Sequence, residues 1–549
     1  MESGEYRVFG PPGTGKTHYL TRQIARAVET TLPQKIAVVS FTKAAAEEIA
    51  SRVDVCNPGR SPDDKTGVRV GTLHSFCYHA LEAGEIADTP KWIKEWNRKV
   101  AGLPRLKLDG DSSDPMGKDL CRELQETFYL RAKMVPQEKW KAYHRKAFDL
   151  WSEWKDERDL KDFTDLIEDC FNDVDVMPGE PEIGFFDEVQ DFSALELALV
   201  RKWGAHMRQI VLAGDDDQSI YGFKGASAQA FLTPDVSADR KLFLRKSYRL
   251  PSEIKKYADR WISRVKEREI KHYDPMKEGG RVVYRGGFSW KSPSPVLACL
   301  LEEVGFRDNT VMILASCRYM LDPICHSMSA RGMVFHNPYR RSDKGWNPID
   351  PHKGAAKRVL SFLRPDGDTW ESPRMWNWGE LNDWVEVLDT KKVKFSRGMK
   401  SKIKRNAKDE ATCGVVITKD ELNDVFEGDP WCVPDFMADV QAGDIGWFRE
   451  HIVRRHLTKS MRLALRVVDR TGSGAELKRE PKVIVGTIHS IKGGQCDTAI
   501  LFPDLSGVGY NQLARDPDSV TRLFYVGLTR ARERVVLCGP ETQQHIMWI

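Results

Sequence analysis

The sequence predicts an α/β fold: two related domains with parallel sheets, each interrupted by a mostly helical insertion. Three observations carry that expectation. Residues 10–17 read GPPGTGKT, between a stretch fit for a strand and one fit for a helix. Residues 185–191 read FFDEVQD, an apolar run that ends in two carboxylates. VGTLHS at 70–75 is echoed by VGTIHS at 485–490, as expected if one architecture occurs twice. Parallel α/β sheets present their ligands at the carboxyl ends of strands, which is where all three strings would fall.

The first string is a phosphate cradle. Tyr6-Arg7-Val8-Phe9 suits a strand, and His18 to Val28 suits a helix whose N-terminus faces an anion. Gly10, Gly13 and Gly15 let the backbone turn tightly, with Pro11, Pro12 and Thr14 completing the loop. Lys16 supplies a cation to the outer phosphates, Thr17 a hydroxyl to Mg²⁺, and His18 follows directly. The expected ligands are therefore a nucleoside triphosphate and Mg²⁺, and the expected chemistry is triphosphate hydrolysis.

In the second string, Phe185-Phe186 closes a buried strand and Asp187-Glu188 emerges at its end. Asp187 is placed to hold Mg²⁺, commonly through water, because that ion takes few carboxylates. Glu188 is the candidate general base for the attacking water. Residues 210–226, IVLAGDDDQSIYGFKGA, then run from a strand into an acidic turn. Gln218 is the candidate γ-phosphate sensor, and Tyr221 and Phe223 can stack on bases. In the echoed strings, Thr72, His74, Thr487 and His489 offer matching hydrogen-bonding groups, one set per domain, to successive backbone phosphates.

Composition sets the frame. A chain of 549 residues should hold several domains. Its 41% hydrophobic and 30% charged residues are ordinary for a water-soluble protein, and a net charge of +4 is too mild to prove a nucleic-acid partner. No apolar run approaches the length of a membrane span, and a polar stretch leads straight into the cradle, so neither an anchor nor a leader is expected. The 11 cysteines, from Cys56 to Cys538, form no C-x-x-C pair. They predict core thiols in a reducing cytoplasm rather than a zinc or iron–sulfur site.

With these motifs in order, the chain resembles superfamily-one DNA helicases of the UvrD/Rep/PcrA type. The resembling runs are GPPGTGKT (10–17), SFTKAAAEEI (40–49), VGTLHSFC (70–77), DFTDLIEDC (162–170), FFDEVQDFS (185–193), AGDDDQSIYGFKGA (213–226), LRKSYRLP (244–251), VGTIHSIKGG (485–494) and RLFYVGLTRARERVVL (522–537). DDQSIYGF and YVGLTRARER are far more specific than the cradle alone.

The resemblance implies two RecA-like P-loop motor domains and a set of roles. Lys16, Glu188, Gln218, Arg249 and Arg530 would be catalytic, the two arginines as fingers on the developing charge. Tyr248 would stack on adenine, and Gln495 would stand where relatives carry a ribose-contacting glutamate. Phe41, Thr72, His74, Tyr221, Phe223, Thr487 and His489 would touch DNA. The sequence departs from the family at several places. Phe223 stands for a usual tryptophan, Lys43-Ala44 for Asn-Lys, and His18 for an arginine. Nine residues precede Gly10, so the family's upstream adenine-reading glutamine has no place here. Loose selectivity between ATP and GTP is the resulting expectation.

The implied domains are 1–77 and 181–250 for the first motor, with a helical insertion at 78–180. The second motor takes 251–344 and 475–549, with an insertion at 345–474. Trp140, Trp151 and Trp154 stand at helix-like spacings in 78–180, and Trp370, Trp376, Trp378 and Trp384 are expected as core residues of 345–474 rather than as a binding platform. The basic run 391–408 is either a solvated face or a duplex- or partner-binding patch.

The expected function is ATP-dependent translocation on single-stranded DNA with duplex unwinding, in replication, repair or recombination. The resemblance implies 3′→5′ polarity; with Ile549 soon after the last motif, no appended nuclease is expected. Single strands and single-strand/duplex junctions are the expected partners, with a protein loader or repair partner in addition, and no membrane. Two other classes fit the same residues: a translocase that strips proteins without unwinding, and a catalytically decayed binding module.

Overall fold

The computed structural model describes residues 4–52, 67–99, 120–363, 375–426, 440 and 443–549. Internal contacts divide the chain into two units, residues 1–284 with 503–549, and residues 285–502.

The first unit is built on a six-stranded sheet. Its strands are β1 (Gly4–Phe9), β2 (Ile36–Ser40), β3 (Arg69–Gly71), β4 (Ile183–Asp187), β5 (Gln209–Gly214) and β6 (Lys241–Phe243). They run in the order β3-β2-β4-β5-β1-β6, with parallel pairing throughout. Alternate residues feed two separate cores. Val38, Phe185, Val211 and Ala213 pack on one face, and Val39, Phe186, Ile210 and Leu212 on the other. A sheet covered on both faces explains why β2 and β4 read as continuous buried runs.

Between β3 and β4 the described residues are largely helical and include the helices Pro90–Lys99, Leu120–Ala132, Ala142–Asp156 and Phe163–Asp173. Trp96, Trp151 and Trp154 are buried in their core and Trp140 is buried near it. At its base, Asp162 caps the last of these helices and is wholly buried. It pairs with Arg131 at 3.1 Å and Lys155 at 2.7 Å, and accepts from Trp151 Nε1 at 2.8 Å. Those partners hold its carboxyl well below the usual range even though burial alone would raise it. DFTDLIEDC, at 162–170, is thus an ion-paired helix start.

In the second unit, strands Cys496–Leu501, Val311–Ala315 and Val483–Thr487 pair in parallel, in that order. Two sets of parallel strands among many helices match the α/β class expected from the sequence. Trp376, Trp378 and Trp384 pack into one large core with Phe426 and Phe448, while Trp370 lies outside the described residues. Trp384→Ala should cost about 3–5 kcal/mol, because a wholly buried indole leaves a cavity that its neighbours fill only partly. Chemical denaturation of the variant checks that value. The basic run forms the helix Met399–Lys408. There Lys400 and Lys402 lie over the rings of Phe395 and Trp378, while Lys404 and Arg405 face solvent. Among the described residues, no helix is long and apolar enough to cross a membrane.

Candidate active site

The cradle joins β1 to the helix Lys16–Thr30. Gly13 and Gly15 take left-handed φ values of 73° and 75°. At Gly13 a side chain is also excluded by contact, since a Cβ would stand 2.4 Å from Cβ of Arg249. The loop is pinned from three sides. Gly10 N–H donates to Gly214 O of β5 at 2.9 Å, and Thr14 Oγ1 donates to Pro11 O at 2.8 Å. Residues 247–249 close the third side: Ser247 Oγ donates to Pro12 O at 2.8 Å, and Tyr248 N–H to Gly13 O at 2.7 Å. The segment that carries Tyr248 and Arg249 is therefore stitched to the cradle through its backbone. Tyr248 itself is 62% exposed, and His18 is exposed next to Thr17.

Lys16 Nζ stands 2.7 Å from Glu188 Oε1. Burial would lower the lysine's pKa, but Glu188, Asp187 and Asp215 together raise it well above its ordinary value, so it stays charged. Asp187, at the end of β4, is buried and accepts from Glu188 N–H at 2.9 Å. Burial raises its pKa to about 7 against the pull of Lys16. Glu188 adopts a left-handed backbone, φ 56°, uncommon for a residue with a side chain. Gln190 steers the Glu188 carboxylate: its Nε2 donates to Glu188 Oε2, and its Oε1 accepts from Asp215 N–H at 3.0 Å.

Gln218 lies in the turn after β5. Its Nε2 donates to Asp215 Oδ2 at 2.7 Å, and its Oε1 accepts from Arg530 Nη2 at 2.9 Å. Arg530 is 1% exposed and held from behind by Val526 O at 2.8 Å. It follows the helix Pro517–Leu528, which is anchored through the bond from Trp261 Nε1 to Thr521 O, 2.9 Å. Arg249 Nη1 donates to Thr529 O at 3.3 Å, so both candidate fingers meet at the end of that helix.

An aromatic row leads away from Gln218. Tyr221 stacks on Phe41 with centroids 5.6 Å apart, and Phe223 meets Tyr221 edge-on at 6.1 Å. Phe192 backs Phe41 at 6.2 Å, and Phe223 is 36% exposed. Thr72 caps the helix Leu73–Ala80 in a reciprocal box with Ser75. His74 rests edge-on against Phe163, with Glu196 at 3.9 Å. Burial lowers the His74 pKa against the opposing pull of Glu196, so the ring is neutral at pH 7.

The echoed string in the second unit repeats the local geometry. Ser75 N–H donates to Thr72 Oγ1 at 3.2 Å, and Ser490 N–H to Thr487 Oγ1 at 3.3 Å. Each serine hydroxyl also donates to its threonine's carbonyl, at 2.7 and 2.8 Å. His489 is half-buried and Gln495 exposed in that unit. Within the first unit the structure brings together the cradle, Asp187, Glu188, Gln218, Arg249 and Arg530. Thr487, His489 and Gln495 belong to the second.

Sequence reasoning missed three groups. Gln190 stands inside a motif and was legible as a polar residue two positions after Glu188. Ser75 and Ser490 share the final letter of the echo. Arg268 and Lys271, which pair with Asp217 and Asp215–Asp217, carry no local signal beyond the need of three buried aspartates for cations.

Comparison with known proteins agrees with this geometry. Residues 1–238 match the UvrD/REP helicase N-terminal domain, and residues 482–538 the UvrD-like helicase C-terminal domain. In both matched segments the chain is similar to UvrD/Rep/PcrA-like helicases. Relatives include the putative ATP-dependent DNA helicase YjcD of Bacillus subtilis, 25% identical over 298 residues. DNA helicase II of Escherichia coli is 28% identical over 272 residues, and ATP-dependent DNA helicase PcrA of Staphylococcus epidermidis is 26% identical over 307. These alignments take in 45–50% of this chain and 36–40% of each relative.

Proposed function

We propose that this protein is an ATP-dependent DNA helicase that translocates on single-stranded DNA and unwinds duplex, with 3′→5′ polarity. One observation carries the reading: the turn that holds Gln218 between Asp215 and Arg530 continues within three residues into Tyr221, which stacks on Phe41. A group suited to sensing a γ-phosphate and a platform suited to bases share one short loop, so a shift in either is felt by the other. In this reading Lys16 and the cradle amides bind the outer phosphates, Glu188 activates water, and Arg249 and Arg530 stabilise the developing charge. Tyr248 stacks on adenine, and Gln495 contacts the ribose. Thr17 and Asp187 offer the hard oxygen donors that Mg²⁺ takes, and the ion would neutralise charge on the transferred group.

Phe41, Thr72, His74, Tyr221 and Phe223 form one grip on the strand, and Thr487 and His489 a second. The motor halves remain those marked by the motifs, 1–77 with 181–250 and 251–344 with 475–549, and the segments 78–180 and 345–474 are insertions. The polarity rests on the family resemblance.

Steady-state ATPase assays with and without oligonucleotides, beside strand separation on duplexes with 3′ or 5′ tails, test this. Stimulation by single-stranded DNA and unwinding from a 3′ tail are expected. Stimulation and displacement of a bound protein with no strand separation would instead mark a translocase that strips proteins.

Phe223→Ala should weaken single-strand binding by about 1–3 kcal/mol and depress the DNA-stimulated rate, while DNA-free hydrolysis persists. Fluorescence anisotropy with a labelled oligonucleotide measures the first effect. Unchanged affinity would make Phe223 a packing residue.

A further inference from the structure

Three consecutive carboxylates, Asp215, Asp216 and Asp217, sit at the end of β5 with no exposed surface. Buried carboxylates are tolerated only when paired and hydrogen-bonded. Here the partners come from the segment that follows the helix Ser252–Ile262. Lys271 Nζ lies 3.2 Å from Asp215 Oδ1, 2.5 Å from Asp216 Oδ1 and 2.9 Å from Asp217 Oδ2. Arg268 clasps Asp217 with two bonds, 2.7 and 2.5 Å, and Glu269 N–H donates to Asp216 Oδ2 at 2.9 Å. Lys271 is the only residue with an ion pair to all three aspartates among the described residues. Burial alone would lower its pKa, but the three aspartates raise it, so it remains a cation.

The consequence lies at Gln218. An amide has a donor end and an acceptor end, and neighbours decide which way it points. Asp215 Oδ2 takes the Nε2 end at 2.7 Å, which leaves Oε1 facing Arg530 Nη2 at 2.9 Å. That orientation depends on where Asp215 Oδ2 stands. Lys271, 3.2 Å from the other oxygen of the same carboxyl group, fixes that position.

We propose that Lys271 is a positioning residue for ATP hydrolysis: by gripping one oxygen of Asp215 it fixes the other, which orients the Gln218 amide and so sets Arg530. This rests on the reading of Gln218 and Arg530 as parts of a hydrolytic site. Lys271 touches no nucleotide in this scheme. Its effect must pass through Gln218, and that distinguishes it from a residue that only stabilises the fold.

The test is a double-mutant cycle on the full chain, read as kcat and KM for ATP with saturating single-stranded oligonucleotide. Lys271→Met should lower kcat about tenfold or more with KM for ATP changed less than about threefold, and Lys271→Arg should restore most of the loss. On a Gln218→Ala background, Lys271→Met should lower kcat by less than about twofold, since the group it orients is gone. A kcat for Lys271→Met within twofold of wild type, or an equal loss on both backgrounds, overturns the inference. If Lys271→Met fails to fold by circular dichroism, Asp215→Asn, nearly isosteric, takes its place in the cycle with the same expected and contrary results. Wild-type protein with no DNA-stimulated hydrolysis would overturn the functional reading and this inference with it. An active wild type with additive losses would overturn this inference alone.

Discussion

Arg530→Ala should lower kcat for ATP hydrolysis by roughly 10³ or more, the scale of an arginine finger in phosphoryl transfer. The side chain is almost wholly buried and one of its bonds reaches Gln218. Val526 O and Thr529 Oγ1 accept from it, and Gln218 Oε1 takes Nη2. A guanidinium fixed beside the turn that carries Gln218 is suited to stabilise a developing phosphate anion. The helix that ends beside it also packs against Trp261, so the loss should be read as kcat on protein shown to be folded. Lys substitution should not rescue, because the flat fork that spans Val526 and Gln218 is lost. A kcat within a few-fold of wild type would remove Arg530 from the site.

Lys16→Ala and Glu188→Gln should both stop turnover, for different reasons. The two side chains form a 2.7 Å ion pair beside buried Asp187. Removing Lys16 takes away the cation for the outer phosphates. It also leaves Asp187 and Glu188 facing each other without the charge that pulls the Asp187 pKa down. Nucleotide binding and hydrolysis should both fail. Glu188→Gln keeps the shape and leaves Lys16 charged, so ATP should still bind while kcat falls by about 10²–10⁴, the usual worth of a general base. Binding of a fluorescent ATP analogue beside single-turnover hydrolysis separates the two outcomes. Near-normal turnover in Glu188→Gln would end its assignment as the base.

Local chemistry was the legible part of this chain. A strand, a Gly-rich turn and a helix around Lys16 follow from propensity and from glycines that only fit left-handed φ. The continuous apolar runs of β2 and β4 announce a sheet covered on both faces. The spacing of the tryptophans before residue 160 implied helix, and Trp151 and Trp154 do lie in the helix Ala142–Asp156, where both are buried. Ties made across long sequence distances were not legible. Ser247 reaches Pro12 across more than two hundred residues, and Lys271 meets Asp215 across more than fifty. Both come from the segments that flank the helix Ser252–Ile262, whose placement periodicity does not encode. The division by contacts was equally hidden. It falls at 284/285 and 502/503, whereas the motifs mark 250/251. Arg530 therefore shares a unit with Gln218 while the strand Cys496–Leu501 does not.

The central claim is that a phosphate sensor and a base platform work through one loop. The most direct test is the steady-state ATPase rate of the wild type and of Phe223→Ala, each with and without saturating single-stranded oligonucleotide. The account predicts a wild-type rate that DNA raises strongly, and a variant whose DNA-free rate is preserved while the stimulation is mostly lost. A wild-type rate indifferent to DNA, or a Phe223→Ala protein stimulated as fully as the wild type, would contradict it.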